Sequence, residues 1–487
     1  MTVGPGLDQS VRAILHEALE VYRDSPRAVG WLRHQQARLA APLAVAVVGG
    51  PKSGKSTLVS AFVGEDVAPV ELADGSQVST WYQDGPQPRA VLYAARGPRQ
   101  EVPVARRDRR LDIDLRQWRS PGVDRIVVDW PARNLRDVTL IDTPALPPPD
   151  SDAASAAMER IAGEADGLLY LVRDTQGGEQ PVLRAAHDRA APTTGPVSTL
   201  VVLSRADEIG AGRIDALSSA KQIVRRYRRE GGTPAVCQNV IALAALLAQA
   251  GRTLRDNEFA ALTALAGVPR AELDDFLLSA DRFTGARFPI ALDADIRHAL
   301  LRRFGIFGLK LVTTLIRRGN ANPTTLAAEL VRRSGLGELR ESIGQFLVGR
   351  REVLKARSAL IALDTLLRAE PLPAARKLVA DLERLLVSAH DFHELRLLSA
   401  IAAGRVALPD ELAAEAGRLV GGEGTTLPER LGIDYQAGPA ELHQRAFDAL
   451  RRWHRETVNP LLSSTARRGA ATVVRSCEAM LTQLSAS

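Results

Sequence analysis

An apolar run that ends in two glycines and gives way to a Lys-Ser pair constrains this chain more than any other feature. Residues 43–70 read LAVAVVGGPKSGKSTLVSAFVGEDVAPV. Gly49-Gly50-Pro51-Lys52-Ser53-Gly54-Lys55-Ser56 satisfies G-x-x-x-x-G-K-[ST] at every fixed position. Such a loop wraps its backbone N–H groups around phosphates, so glycines supply the backbone freedom. Lys55 is expected to reach the β- and γ-phosphates, and the Ser56 hydroxyl to hold a magnesium ion. The helix opening at Ser56 turns its positive end to the anion. Residues 49–56 and the adjacent Thr57 are thus the expected phosphate-binding loop. A run of buried strand before it and helix after it implies an α/β domain.

Two further segments fit the same site. VTLIDTPAL (138–146) brings Asp142 to the end of an apolar strand, where such proteins keep the carboxylate that holds magnesium. VVLSRADEIG (201–210) delivers Ser204-Arg205-Ala206-Asp207 from another strand, similar to the Asn/Thr-Lys-x-Asp motif that reads guanine. Asp207 would accept from the N1–H and 2-amino group, donors that adenine lacks there, with the Arg205 stem against the base. The expected ligand is therefore GTP with Mg²⁺.

Other apolar runs read as strands: RAVLYAA, RIVVDW, GLLYLV, STLVVLS and CQNVIALAA. They are mostly continuous, as in a largely parallel sheet covered on both faces. No convincing strand follows residue 250. Residues 8–24 predict an amphipathic helix with Val11, Ile14, Leu15, Ala18 and Tyr22 on one stripe. Residues 303–319 read as a closing helix, and NANPTT as a linker with Asn322 an N-cap and Pro323 a first helical residue. Gly335 and Gly337 are expected to break the next helix. Leucines then predict one long helix over 338–369 and a second helical stretch over 440–484 kinked at Pro460.

The expected organisation is an N-terminal helix (1–40) packing with a helical neck, a nucleotide-binding domain (41–320), and an elongated all-α neck and trunk (321–487). Its far end would be 370–439, where Val406, Ala407, Leu408, Leu427 and Leu431 beside Arg405 and Arg430 suit shallow contact with anionic lipid; capping of the bundle is the alternative for the same residues.

The length of 487 residues allows two or three domains with their own cores. The net charge of +6 permits anionic partners without arguing for any. Of 63 basic residues only Lys52, Lys55, Lys221, Lys310, Lys355 and Lys377 are lysines, so two lysines in one loop are a choice of shape. Two cysteines, Cys237 and Cys477, exclude a disulfide framework or a cysteine zinc site. The N-terminus does not read as a signal peptide, and VIALAALLAQA is too short to span a bilayer. A cytoplasmic protein, peripheral at the inner face of the cell membrane, is expected. The Arg-rich runs 105–110 and 225–230 lack interleaved aromatics apart from Tyr227, so nucleic acid is not. His390 and His393 in HDFH read as ordinary helix positions rather than metal ligands.

The three motifs, with the continuation GKSTLVSAFVGEDVAPV and the segment RRSGLGELRESI, resemble the dynamin superfamily of large GTPases in its bacterial branch. SRADEIGAGRIDA and the general layout are most similar to its isoniazid-inducible members. That resemblance implies Mg²⁺-dependent GTP hydrolysis and pairing of heads across the nucleotide pocket, as a homodimer or with a sister protein. It also implies a stalk that remodels or severs membranes, and a link to envelope stress or drug tolerance. Three departures matter. The usual Asp-x-x-Gly reads Asp142-Thr143-Pro144-Ala145. The first switch offers Ser76 or Thr80, with spacing favouring Ser76 as the residue that serves metal and water. Pro51 and Lys52 replace polar catalytic residues, and guanylate-binding proteins carry a catalytic Arg at the position of Lys52, which makes Lys52 a catalytic candidate beside Lys55. Slow hydrolysis is accordingly implied, and a non-hydrolysing scaffold that pairs with a sister GTPase is the alternative. A translation-linked GTPase of the Era type fits less well, since no RNA-binding module is recognisable.

Overall fold

A computed structural model describes residues 6–486 except 68–71, 73–76, 95–97, 108–109, 116–117, 119–121, 149–150, 174–197, 230–236, 286–287, 291 and 403. Its centre is a nine-stranded sheet of order β12-β11-β10-β1-β9-β3-β8-β4-β5. The strands are β1 (Leu43–Gly49), β3 (Thr80–Asp84), β4 (Arg89–Ala94), β5 (Gln100–Val102), β8 (Val123–Trp130), β9 (Val138–Asp142), β10 (Gly167–Val172), β11 (Thr199–Leu203) and β12 (Asn239–Ala242). β12, β11, β10, β1 and β9 are parallel, β3 joins β9 antiparallel and pairs β8 in parallel, and β4 and β5 finish the edge antiparallel. A small sheet is made of β2 (Asp66–Val67), β7 (Arg110–Ile113) and β6 (Val104–Arg107), the last two holding the described residues of the first Arg-rich run.

Each strand named in the sequence forms, and the expected mostly parallel α/β head with an all-α part is the observed architecture. The continuous apolar runs are explained by burial on both faces. Ala44, Ala46 and Val48 of β1 enter one core, and Leu43, Val45 and Val47 the other.

A third core is purely helical. Val11, Ile14, Leu15, Ala18 and Tyr22 belong to it, as their stripe predicts. The N-terminus is a pair of helices rather than one, Leu7–Val21 and Pro26–Ala40, because Ser25 caps the second by accepting from Ala28 N–H at 3.2 Å. Both pack on the helix Arg351–Ala369. Tyr22 donates to the Glu370 carbonyl at 2.7 Å, and Lys377 pairs with Glu17 at 2.7 Å.

Five expectations change here. Asn322 and Pro323 do open a helix, Pro323–Ser334, but Leu326 and Leu330 belong to the sheet's first core, and Leu336, Leu339, Ile343, Leu347 and Leu354 to its second. The head therefore takes in residues to about 354, beyond the expected limit at 320. Gly335, at φ +89, separates that helix from Leu336–Ser342; a Cβ there would lie 2.1 Å from the Ala242 carbonyl, so the turn presses against the end of β12. Gly337, by contrast, lies inside the second helix.

The long helix 338–369 is interrupted, since a π-turn at Ile343–Leu347 and a 3-10 turn at Val348–Arg350 separate the head portion from Arg351–Ala369. The stretch 440–484 is a hairpin of Pro439–Thr457 and Ser464–Ala486 packed side by side, not a kinked rod. Pro460 ends the first helix, and Ser463 caps the second by accepting from Ala466 N–H at 3.1 Å.

Nor is 370–439 simply an outer tip. The Arg350 guanidinium donates to the Gly421 carbonyl and the Gln345 amide to Glu423, which brings that loop back to the head. Leu431 is buried, and Val406, Leu408 and Leu427 pack on the helical core. Arg430 is spent on Glu394 at 2.5 Å and the Leu419 carbonyl at 2.8 Å. Those leucines therefore cap the bundle.

At the junction, Asp166, whose side chain is 2% exposed, receives Arg38 at 3.0 Å and Lys355 at 3.4 Å. Its other hydrogen bond comes from the Ala44 amide at 3.0 Å. One carboxylate thus joins the N-terminal helices, the foot of β1 and the helix Arg351–Ala369.

Candidate functional site

In a parallel sheet, ligands bind beyond the carboxyl ends of the strands where the chain order turns away to both sides. β1 occupies that place, between β9 and β10. The register sets Val47 beside Asp142 and Gly49 beside Leu171, so the loop 49–56, Asp142, Arg173 and 204–207 all issue from one edge.

Gly54 caps the helix Lys55–Val63 at φ +94, a left-handed conformation that an L side chain rarely adopts. Lys52 takes the same region at φ +56 despite its side chain. The Lys55 ammonium, 8% exposed, turns back into the loop and donates to the Gly49 and Gly50 carbonyls at 3.0 and 3.1 Å. Burial draws its pKa down, and Asp142 opposes that shift. A phosphate arriving at the loop would take over these contacts.

The Ser56 hydroxyl is close enough to Asp142 to favour its ionised form. Asp142 Oδ1 and the Ser53 hydroxyl are both shielded from solvent and have no partner. Burial pushes the Asp142 carboxyl up to about 6, against Ser56 and the nearby Lys55. An unspent carboxylate oxygen beside a serine hydroxyl, both hard oxygen donors, fits a small divalent cation that keeps several waters.

On the neighbouring strand end, the Ser204 hydroxyl donates to the Val172 carbonyl at 3.0 Å, which ties the turn to β10. Arg205 is left-handed at φ +52, and Asp207 is 6% exposed. Burial raises the Asp207 pKa, with its own backbone N–H and Arg205 opposing. Such a carboxylate gains from donors brought by a ligand.

Thr80 starts β3 opposite Asp142 and donates to the Val78 carbonyl at 3.2 Å, consistent with its placement in the strand. Ser76 lies outside the described residues. The segment after Asp142 is held at both ends: the Thr143 hydroxyl donates to the Val47 carbonyl at 2.8 Å and the Leu146 amide to the Gly49 carbonyl at 3.1 Å. Pro144 and Ala145 stand between these ties.

Sequence reasoning missed Arg173. It follows β10 directly, and its guanidinium donates to the Lys52 carbonyl at 2.7 Å and the Pro51 carbonyl at 3.4 Å. The signal was available as a charged residue at the end of an apolar strand parallel to β1. His390, for its part, sits 3.0 Å from the Ser476 hydroxyl and 3.4 Å from Glu394, and among the described residues no group of three His, Cys, Asp or Glu could hold a metal.

Two curated relatives match over almost the whole chain. The isoniazid-induced protein IniC of Mycobacterium tuberculosis strain CDC 1551 / Oshkosh is 39% identical over 488 aligned residues, 98% of each chain. IniC of strain ATCC 25618 / H37Rv matches to the same extent. Two solved chains, described as belonging to an oligomerised bacterial dynamin pair that provides a mechanism for long-range sensing and tethering of membranes, are also similar. One has a TM-score of 0.35 at 12% identity, covering 99% of this chain and 76% of its own. The other has a TM-score of 0.31 at 13% identity, covering 99% and 75%. No protein-family model matches.

Proposed function

The chain belongs to the family of the isoniazid-induced IniC proteins, and from that premise we propose that it is a dynamin-like GTPase that binds GTP with Mg²⁺, hydrolyses it slowly and acts on membranes. The observation that carries the reading is the meeting of three groups at one sheet edge: the loop 49–56 with Lys55 folded into it, the Ser56–Asp142 pair with its unspent oxygen, and the buried Asp207.

In this reading the amides of residues 49–57 and the Lys55 ammonium hold the phosphates. Ser56 and Asp142 hold the cation, with Ser76 as the switch residue completing its shell. Bound Mg²⁺ would neutralise charge on the β- and γ-phosphates. Asp207 selects guanine, while Ser204 and Arg205 fix the turn that carries it. Lys52, exposed at the loop's outer bend, adds positive charge as bonds to the γ-phosphate loosen. The heads pair across the pocket, with a second copy or a sister protein. The chain works from the cytoplasm at the inner membrane face, in the response to envelope damage by agents such as isoniazid.

The membrane-contacting end of this proposal is the hairpin turn 458–463. Val458 and Leu461 are 76% and 91% exposed there, with Arg455 and Arg468 exposed on the flanking helices. No described helix is long and apolar enough to cross a membrane, so the contact is shallow.

A second reading has one observation in its favour. The ties on Thr143 and Leu146, with Pro144 and Ala145 between, stiffen the segment that must move toward the γ-phosphate. A chain so restrained would bind GTP and act as a scaffold for a hydrolysing partner.

Equilibrium binding of labelled GTP against ATP tests the site. GTP should bind with clear preference, and Asp207→Ala should weaken it about ten- to hundredfold, the loss of buried charged hydrogen bonds. Equal affinity for the two nucleotides would end the GTPase reading.

A further inference from the structure

Among the described residues, Lys52 and Arg205 are the non-glycine positions with left-handed backbone. That conformation is unfavourable for L-residues and persists where neighbours over-determine it. At Lys52 the restraint is visible: two guanidiniums from adjacent strand ends converge on its carbonyl. Arg173, after β10, donates from Nη2 at 2.7 Å, and Arg205, after β11, donates from Nε at 3.0 Å. Arg205 is shared, since its Nη1 holds Glu208 at 2.6 Å. Among the described residues, Arg173 bonds to the loop alone, reaching the Pro51 carbonyl as well.

The two ends of a trans peptide unit point in opposite directions. A carbonyl of Lys52 held outward, toward β10 and β11, therefore turns the Ser53 N–H inward. That amide faces the Gly50 carbonyl at 3.4 Å, across the hollow of the loop. We propose that Arg173 is a positioning residue of the phosphate-binding loop, holding the Lys52–Ser53 peptide so that the Ser53 amide is presented to the β-phosphate of a bound nucleotide. The proposal rests on the nucleotide reading above, and adds to it a residue outside the three motifs. Arg205 shares the task but also carries the guanine-reading turn; Arg173 can be changed without touching that turn.

Two measurements on the full chain test it. In nucleotide-free protein, amide exchange across 52–54 should be faster in Arg173→Ala, and should return toward the unmutated rate in Arg173→Lys, which restores a charged N–H donor. The thermal midpoint should stay the same in both. In binding, Arg173→Ala should lose about tenfold in affinity for fluorescent GDP and GTP alike, as expected for one charge-assisted hydrogen bond.

Unchanged exchange in Arg173→Ala would overturn the proposal. So would a loss confined to GTP, which would mean contact with the γ-phosphate instead. If the unmutated protein binds neither nucleotide, the functional reading fails, while the exchange experiment still decides whether Arg173 holds the loop.

Discussion

Replacing Asp166 by Asn removes one negative charge from a site where two buried cations meet. The Arg38 and Lys355 side chains are 10% and 5% exposed, against 2% for Asp166. Lys355 also donates to the Arg38 carbonyl at 2.6 Å, and Arg38 to the Gly163 carbonyl at 2.9 Å, so neither cation can swing into water without breaking a second contact. Breaking a buried pair from one side costs about 3–5 kcal/mol, because the remaining charge stays desolvated. At about 2–4 °C per kcal/mol for a cooperative unit of domain size, the thermal midpoint should fall by roughly 6–20 °C. Lys355→Met alone should cost less, since Arg38 still neutralises the carboxylate. The double variant should be less unstable than the sum of the two, by about 1–3 kcal/mol. Thermal and guanidinium unfolding followed by circular dichroism supply these values. A shift below about 1 °C for Asp166→Asn, or strict additivity in the double variant, would refute the view that this triad bolts the helical module to the foot of β1.

Asp142 sets a pH dependence: its carboxyl is held near 6 instead of 3.8, so the folded metal-free site keeps its proton in that interval. The stability this contributes is fully present below about pH 3.8 and lost as pH rises through about 6. Mg²⁺ needs the ionised form, so its apparent affinity in the presence of GTP should fall about tenfold per pH unit below 6, and Asp142→Asn should give weak binding with a flat profile. Lys55→Ala should abolish GTP binding, whereas Lys52→Ala should bind GTP normally and lower single-turnover hydrolysis at least tenfold; an unmutated rate would leave Lys52 as a solvated loop residue. Val458→Asp with Leu461→Asp should reduce co-sedimentation with phosphatidylserine vesicles while leaving the thermal midpoint and GTP binding intact, and undiminished sedimentation would rule out the hairpin turn as the contact.

The head was legible because its signals are local. A buried parallel strand is written as an unbroken apolar run, and a phosphate loop as fixed glycines and a lysine at fixed spacing. What helices pack against is not local. Leu326, Leu330, Leu339, Ile343 and Leu347 repeat as they would in a bundle, yet they cover the sheet, because a 3.6-residue period names a buried face without naming its partner. The break at 343–350 carries a local hint in Gly344 and Gly349, which are poor helix formers, but the docking of Gln345 and Arg350 on the 421–423 loop is not local. Pro460 announced a disruption, but a kink and a reversal share that residue; side-by-side packing of the flanking helices decides for reversal. β5, β6 and β7 escaped notice because QEV, VARR and RLDI lack the apolar runs that marked the other strands. At the site, Arg173 carried no motif of its own, and only the register of β10 against β1 brings it to the loop.

GTP turnover by the purified full chain with Mg²⁺, measured with and without phosphatidylserine vesicles, separates a hydrolase from a scaffold. Basal hydrolysis should be slow, require Mg²⁺, disappear in Lys55→Ala and rise when vesicles bring heads together. Tight GTP binding with no turnover under either condition, and no gain from vesicles, would contradict the GTPase reading and leave the scaffold in its place.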